Sequence, residues 1–158
     1  MGRKSVKTNK NAYQLSREAA GLTRERAGEL MDFVSDDRIE KIESERSLPH
    51  PEEVLAMSQC YRDARLCNYY CSHECPIGQV YVPEIELKSL SQITLETVNA
   101  INSLDRRKDR LIEIAVDGRI NPDEQADFDD IRRELDNISQ AVQTLRMWID
   151  HQEKTAGD

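Results

Sequence analysis

The chain has 158 residues, of which 33% are charged and only 5% aromatic, and its formal net charge is −8. This is lean for one compact globule and suits a helical protein with long exposed faces. No apolar run approaches the ~18 residues of a membrane span, so a membrane partner is not expected.

The charge is uneven. Residues 1–31 carry seven Lys and Arg against three acids, whereas residues 83–158 carry ten against seventeen. The basic end can approach phosphate, and the acidic end is repelled by it. The opening MGRKSVKTNKNAYQ is basic but has no apolar stretch. A secretory signal is therefore not expected, and the cytoplasm is the expected compartment. Thiols there stay reduced, which argues against a disulfide framework.

Residues 1–11, with Arg3, Lys4, Lys7 and Lys10, read as a flexible basic arm. A first helix is predicted from Asn11 or Ala12 to Gly21. A second follows Thr23 as N-cap and runs to about Met31, and a third follows Ser35 and runs to about Glu45. Pro51-Glu52-Glu53 makes a natural first turn for a fourth helix. A fifth, short helix is predicted from Ala64 to about Tyr70. Leu15, Ala19, Leu22, Ala27, Leu30, Val34, Ile39, Ile42, Val54 and Leu55 are expected to close one small core. The stretch GQVYVP, residues 78–83, is the expected linker, because Pro83 blocks a helix.

Beyond it the pattern lengthens. Residues 84–116 read as one helix with Leu87, Leu90, Ile93, Val98, Ile101, Leu104, Leu111, Ile112 and Ala115 on a broad apolar stripe. In DGRINPDE, Gly118 suits a left-handed C′ position, Asn121 an N-cap, Pro122 N1 and Glu124 N3. The next helix spaces Phe128, Ile131, Leu135, Ile138, Val142, Leu145 and Ile149 alternately by three and four, a heptad seam. Residues 84–152 are thus expected to fold as a long antiparallel helical hairpin, coiled-coil-like and roughly 45 Å long, with 153–158 as a disordered tail. Such a hairpin carries more apolar surface than one partner helix covers. Self-association into a homo-oligomer is expected, and a monomeric hairpin packed on its own N-terminal domain is the open alternative. The fold class expected for the whole chain is all-α.

Within residues 15–49, LSREAAGLTRERAGELMDFVSDDRIEKIESERSLP, a set of small and apolar positions recurs at a known spacing. Arg17, Gly21-Leu22-Thr23, Ala27, Leu30, Val34-Ser35, Ile39, Ile42-Glu43 and Leu48-Pro49 carry it. The segment resembles the phage-repressor-type (Xre/Cro) helix-turn-helix family, and the continuation PEEVLAMSQCY looks like that family's fourth helix. The residues agree on physical grounds: small Ala27 lets two helices cross closely, and the turn Asp32-Phe33-Val34 sets their angle.

The resemblance implies a five-helix DNA-binding domain over residues 12–77. It places Thr23 and Arg24 on phosphate, and it places Ser35, Asp36, Asp37, Arg38, Glu40 and Lys41 toward the major groove. Arg17 and Glu43 become an internal ion pair. With Arg46, the candidate DNA-binding residues are Thr23, Arg24, Ser35, Arg38, Lys41 and Arg46. Asp36, Asp37 and Glu40 stand where polar or basic side chains usually meet DNA, and only cytosine N4 donors would welcome carboxylates. Phe33 and Glu45 occupy two positions where the family usually has glycine, and Glu45 is expected to remove a left-handed C-cap.

The expected function is a transcriptional regulator of bacterial or phage type. It would bind double-stranded DNA as a dimer, since paired half-sites require a two-fold. The alternative is an interaction or adaptor protein whose acidic third helix meets another protein. No glycine-rich phosphate loop, activated nucleophile or carboxylate pair is evident, so an enzyme is not expected.

All four cysteines fall between Cys60 and Cys75. Cys67, Cys71 and Cys75 recur every four residues, which on a continuous helix keeps three thiols on one slowly drifting face. With His73 or Cys60 they supply donors for zinc or an iron–sulfur cluster. A disulfide or thiol switch and plain buried thiols fit the same spacing.

Overall fold

The computed structural model describes residues 9–155, so Arg3, Lys4, Lys7 and the last residues of the tail lie outside the described residues. The described residues are mostly helical and contain no strand. Eight α-helices follow one another: α1 (Ala12–Ala19), α2 (Arg24–Leu30), α3 (Asp36–Glu43), α4 (Pro51–Cys60), α5 (Arg65–Tyr69), α6 (Gly78–Tyr81), α7 (Leu90–Ala115) and α8 (Gln125–Thr155). A π turn, Tyr70–Glu74, lies between α5 and α6. The described residues divide into two compact units, 9–85 with 149–155, and 86–148. No helix among the described residues is long and apolar enough to cross a membrane.

In the first unit the helix starts are set locally. Asn11, Thr23 and Ser35 each accept, on a side-chain oxygen, the backbone N–H three residues on, at 3.0, 3.1 and 3.2 Å. Each bond satisfies a donor the helix leaves orphaned, worth about 1 kcal/mol. Three helix ends share one closure, in which the residue after the C-cap is left-handed and the next N–H reaches back to the third-last carbonyl. After α1 this residue is Gly21, after α3 it is Glu45, and after α4 it is Arg62, with φ of 72°, 61° and 55°. The matching long bonds are Leu22 N–H to Arg17 O, Arg46 N–H to Lys41 O and Asp63 N–H to Ser58 O. Glu45 therefore does not remove the left-handed cap; it adopts that conformation itself.

The core of this unit holds Tyr13, Ala27, Met31, Val34, Ile39, Ile42, Val54, Met57, Tyr61 and Leu66. Leu15, Leu30 and Leu55, expected inside, are exposed, as is Ala19. Their places are taken by Tyr13, Met31, Met57, Tyr61 and Leu66, because the helices present a different face inward. The segment expected as a linker also folds: Gly78–Tyr81 forms α6, with Gly78 buried. The chain then runs without a helix to Ser89. Asn68 holds this run at two points, donating to Pro83 O and accepting from the Ile85 N–H, both at 2.9 Å.

In the second unit α7 begins at Leu90, not at residue 84, behind Ser89 and Gln92, which cap each other's backbone donors. Gly118 is left-handed as expected, with φ 68°. Glu124 reaches back to the Asn121 N–H at 3.0 Å, but α8 starts at Gln125 and not at Pro122, the residue expected as N1. Arg107 pairs with Asp130 at 3.0 Å and Arg110 with Asp127 at 2.7 Å, so the pairing numbers fall on α8 as they rise on α7. Of the expected apolar stripes Ile93 and Ile131 are buried, whereas Val98, Ile101, Ile112, Leu135 and Val142 are exposed; Ala100, Ile114 and Ala141, outside those stripes, are buried instead.

Candidate nucleic-acid interface

The residues around α2 and α3 are held by close backbone approach and by two charge networks. Ala27 is fully buried between the helices. A Cβ added to Gly28 would lie 3.0 Å from the backbone nitrogen of Asp36, so this position brings α2 against the start of α3. The turn between them, Met31 to Ser35, leaves Phe33 exposed and buries Met31 and Val34.

The first network centres on Glu43, which is almost fully buried. Arg17 meets it with two parallel bonds, Nε to Oε1 at 2.5 Å and Nη2 to Oε2 at 3.0 Å, and gives a third to Leu22 O at 2.5 Å. Burial works against the Arg17 charge, but the bonds from Glu43 outweigh it and hold the guanidinium above its ordinary range. Arg24, a candidate phosphate contact, places its Nε 2.7 Å from Glu43 Oε2 and stays half-exposed. The pair implied by the resemblance is present as geometry, and Arg24 is joined to it.

The second network takes Arg38 out of the outward face. Its Nε and Nη2 bond the two oxygens of Glu53, both at 2.7 Å; Nη1 bonds Ser47 Oγ at 2.5 Å, and Nη2 also bonds Leu48 O at 2.9 Å. All of its nitrogens are engaged, and the side chain ties α3 to the start of α4. Glu53 also accepts the His50 N–H at 2.7 Å. The Arg38 bonds, aided by that N–H, hold the Glu53 carboxyl below its usual range despite burial. Sequence reasoning missed Glu53 as this partner, because a pairing fifteen residues apart has no local signature.

The remaining candidates lie outward. Thr23 and Ser35 are exposed caps, and Lys41 is exposed. Arg46 is exposed and pairs with the carboxylate of Glu40. Asp36 and Asp37 are exposed in the first turn of α3, where they also favour the positive end of its dipole. Lys10 of the expected arm is tied to Glu18 at 2.5 Å.

The cysteine segment departs from a continuous α-helix. The helix does not continue through it. Cys75 N–H bonds Tyr70 O at 2.9 Å, the wider π pattern. Four residues overshoot one turn of an α-helix and fall short of one π turn, so the drift expected along Cys67, Cys71 and Cys75 is reversed at its second step. Tyr69 anchors the segment edge-on to Tyr13 at 5.8 Å, and Tyr13 OH donates to Glu74 at 2.8 Å.

His73 is occupied elsewhere: its ring stacks on Tyr69 at 4.6 Å, Nδ1 lies 2.9 Å from Ser72 Oγ, and Nε2 is 3.4 Å from Glu84. Cys60 lines a different cavity, of about 480 Å³, with Ala19, Leu22, Tyr61 and Asp63. Among the described residues no three His, Cys, Asp or Glu side chains converge to hold a metal ion. The four thiols are free and half-buried. Burial, then the neighbouring Cys75 and Cys67, push the Cys71 thiol up, and burial alone does so for Cys60. Both effects disfavour the thiolate, the nucleophilic form of cysteine.

No protein-family model, no curated protein and no solved structure matches this chain.

Proposed function

We propose that the chain is a cytoplasmic DNA-binding transcriptional regulator, not an enzyme, in which α2 and α3 act as a helix-turn-helix and α7 with α8 form a dimerising hairpin. The observation that carries this reading is the α2–α3 junction. Gly28 brings the helices together, Glu43 joins Arg17 to Arg24 beneath them, and Arg38 ties α3 to α4. A junction braced at three points can present one helix to a groove without rearranging. Ser35, Asp37, Lys41 and Arg46 are left outward on or beside α3, and Thr23 and the outer nitrogens of Arg24 on α2 can meet phosphate.

The test is a gel-shift titration of the full chain against random duplex pools at low and moderate salt. Retention at low salt that falls steeply with added salt is expected. Arg24→Ala should weaken binding on every sequence, whereas Lys41→Ala should change the preferred bases by about 1–3 kcal/mol at one position. No retention even at low salt would end the DNA reading.

A second reading has its own support. Asp36, Asp37 and Glu40 dominate the outward side of α3, and Arg38 is withdrawn from it. An acidic, braced helix suits a basic protein partner better than phosphate. In that case the chain is an adaptor, and no duplex is retained at any salt concentration.

A further inference from the structure

The second unit has two unlike sides. On one, α7 and α8 border a groove of about 450 Å³ lined mainly by Lys88, Glu96, Asn99, Glu134, Asn137 and Gln140, all polar. On the other lie apolar side chains left in solvent: Val98, Ile101, Ile112, Leu135 and Val142 are 41–63% exposed. They share a side for a geometric reason. Ile101 follows buried Ala100 and Val142 follows buried Ala141, and one residue on is about 100° round a helix. Both helices are right-handed and they run antiparallel. Equal rotations from their mutual contact therefore emerge on the same side of the pair.

We propose that this side is the surface on which a second copy of the chain sits, which names the face left unspecified in the functional reading above and rests on its hairpin. Two features select a second copy over another partner. The first is area. The 26 residues of α7 extend for about 40 Å, and two helices side by side are about 20 Å across, which gives on the order of 800 Å² for each copy. That is the size of a standard stable interface, about 800 Å² per partner.

The second is charge. Two residues before Arg107 on α7 is Asp105, and two residues after its partner Asp130 on α8 is Arg132, so Asp105 and Arg132 are level. Both lie at the outer edges of the apolar side. Both are exposed and held only by short pairs on their own helices, Asp105 with Lys108 and Arg132 with Asp129. A two-fold parallel to the helices lays α7 of one copy over α8 of the other at the same height. Asp105 of each copy then meets Arg132 of the other, and the apolar rows close between them. With Asp105 on one helix and Arg132 on the other, the surface is complementary to itself at this height under that operation.

Sedimentation of the full chain at tens of micromolar, without DNA, tests the proposal. A dimer is expected. Leu135→Glu with Val142→Glu should give a monomer of unchanged helical circular dichroism, since both sites are exposed. Asp105→Arg should weaken the dimer about tenfold, and adding Arg132→Asp should restore it. If the glutamate variants lose helicity, the charge exchange decides alone. A monomeric parent chain, a dimer that survives both glutamates with its helices intact, or a charge exchange that restores nothing would overturn the proposal. A chain that dimerises through this face yet retains no duplex would end the DNA reading and leave this inference standing.

Discussion

Glu53 serves two purposes at once: it closes the first turn of α4 on the His50 N–H and it receives the fork of Arg38 from α3. Its carboxyl is held low, as is that of Asp63, where the bonds of Arg65 outweigh burial. A depressed carboxyl contributes stability that is present above its unfolded value and is lost as pH falls through the folded one. Urea midpoints should therefore drop between about pH 5 and pH 2, and Glu53→Gln should lower the midpoint at pH 7 and flatten that acid limb. An unchanged acid slope in the variant would remove Glu53 from the account. Glu45 makes the opposite prediction. A side chain in the left-handed region costs about 1–2 kcal/mol, of which the added freedom of glycine in the unfolded chain offsets part. Glu45→Gly should raise stability by about 0.5–1 kcal/mol in denaturant titration, and any loss would contradict the strain.

At the scale of elements, the π turn and α6 act as one piece. Pro76 and Ile77 turn the chain so that α6 lies on the π turn, and the Gly78 N–H approaches Cys75 Sγ at 3.4 Å. A Cβ on Gly78 would sit 2.1 Å from the Cys71 carbonyl oxygen. Backbone cannot yield as a flexible side chain does. Gly78→Ala should cost about 2–3 kcal/mol in denaturant titration, at the upper range of overpacking. A variant of parental stability would mean that the packing of α6 is loose. The proline and glycine that end the cysteine run thus have a structural reason, independent of any ligand for the thiols.

At the scale of the molecule, the two units divide the work. The first is built on one apolar core, and the second exposes Val98, Ile101, Ile112, Leu135 and Val142 along its two helices. A chain of this kind should show a melting temperature that rises with its own concentration, because association stabilises the folded form by mass action. Melts across a hundredfold range of concentration check this, and the rise should vanish in the Leu135→Glu, Val142→Glu chain. A melting temperature independent of concentration in the parent chain would speak for a monomer.

The all-helical class and the places where most helices begin were legible in the sequence, because both depend on a few consecutive residues. Asn11, Thr23, Ser35 and Pro51 sit where they were expected, since a cap needs only its own side chain and an N–H three residues on. The Arg17–Glu43 contact was legible only through a resemblance. What lies inside was not: Leu15, Leu30 and Leu55 satisfy a helical pattern yet stay exposed, because the inward face of a helix is chosen by its neighbours. Arg38 has the position of a groove residue in sequence and the surroundings of a brace in space. The sequence by itself determined the all-helical class and the starts of α1 to α4. Only the tertiary structure decided which charges are spent internally, that the cysteine run bends through a π turn under α6, and which apolar rows are left exposed. Those outcomes depend on residues distant in the chain meeting at a few ångströms, and local pattern carries no record of that.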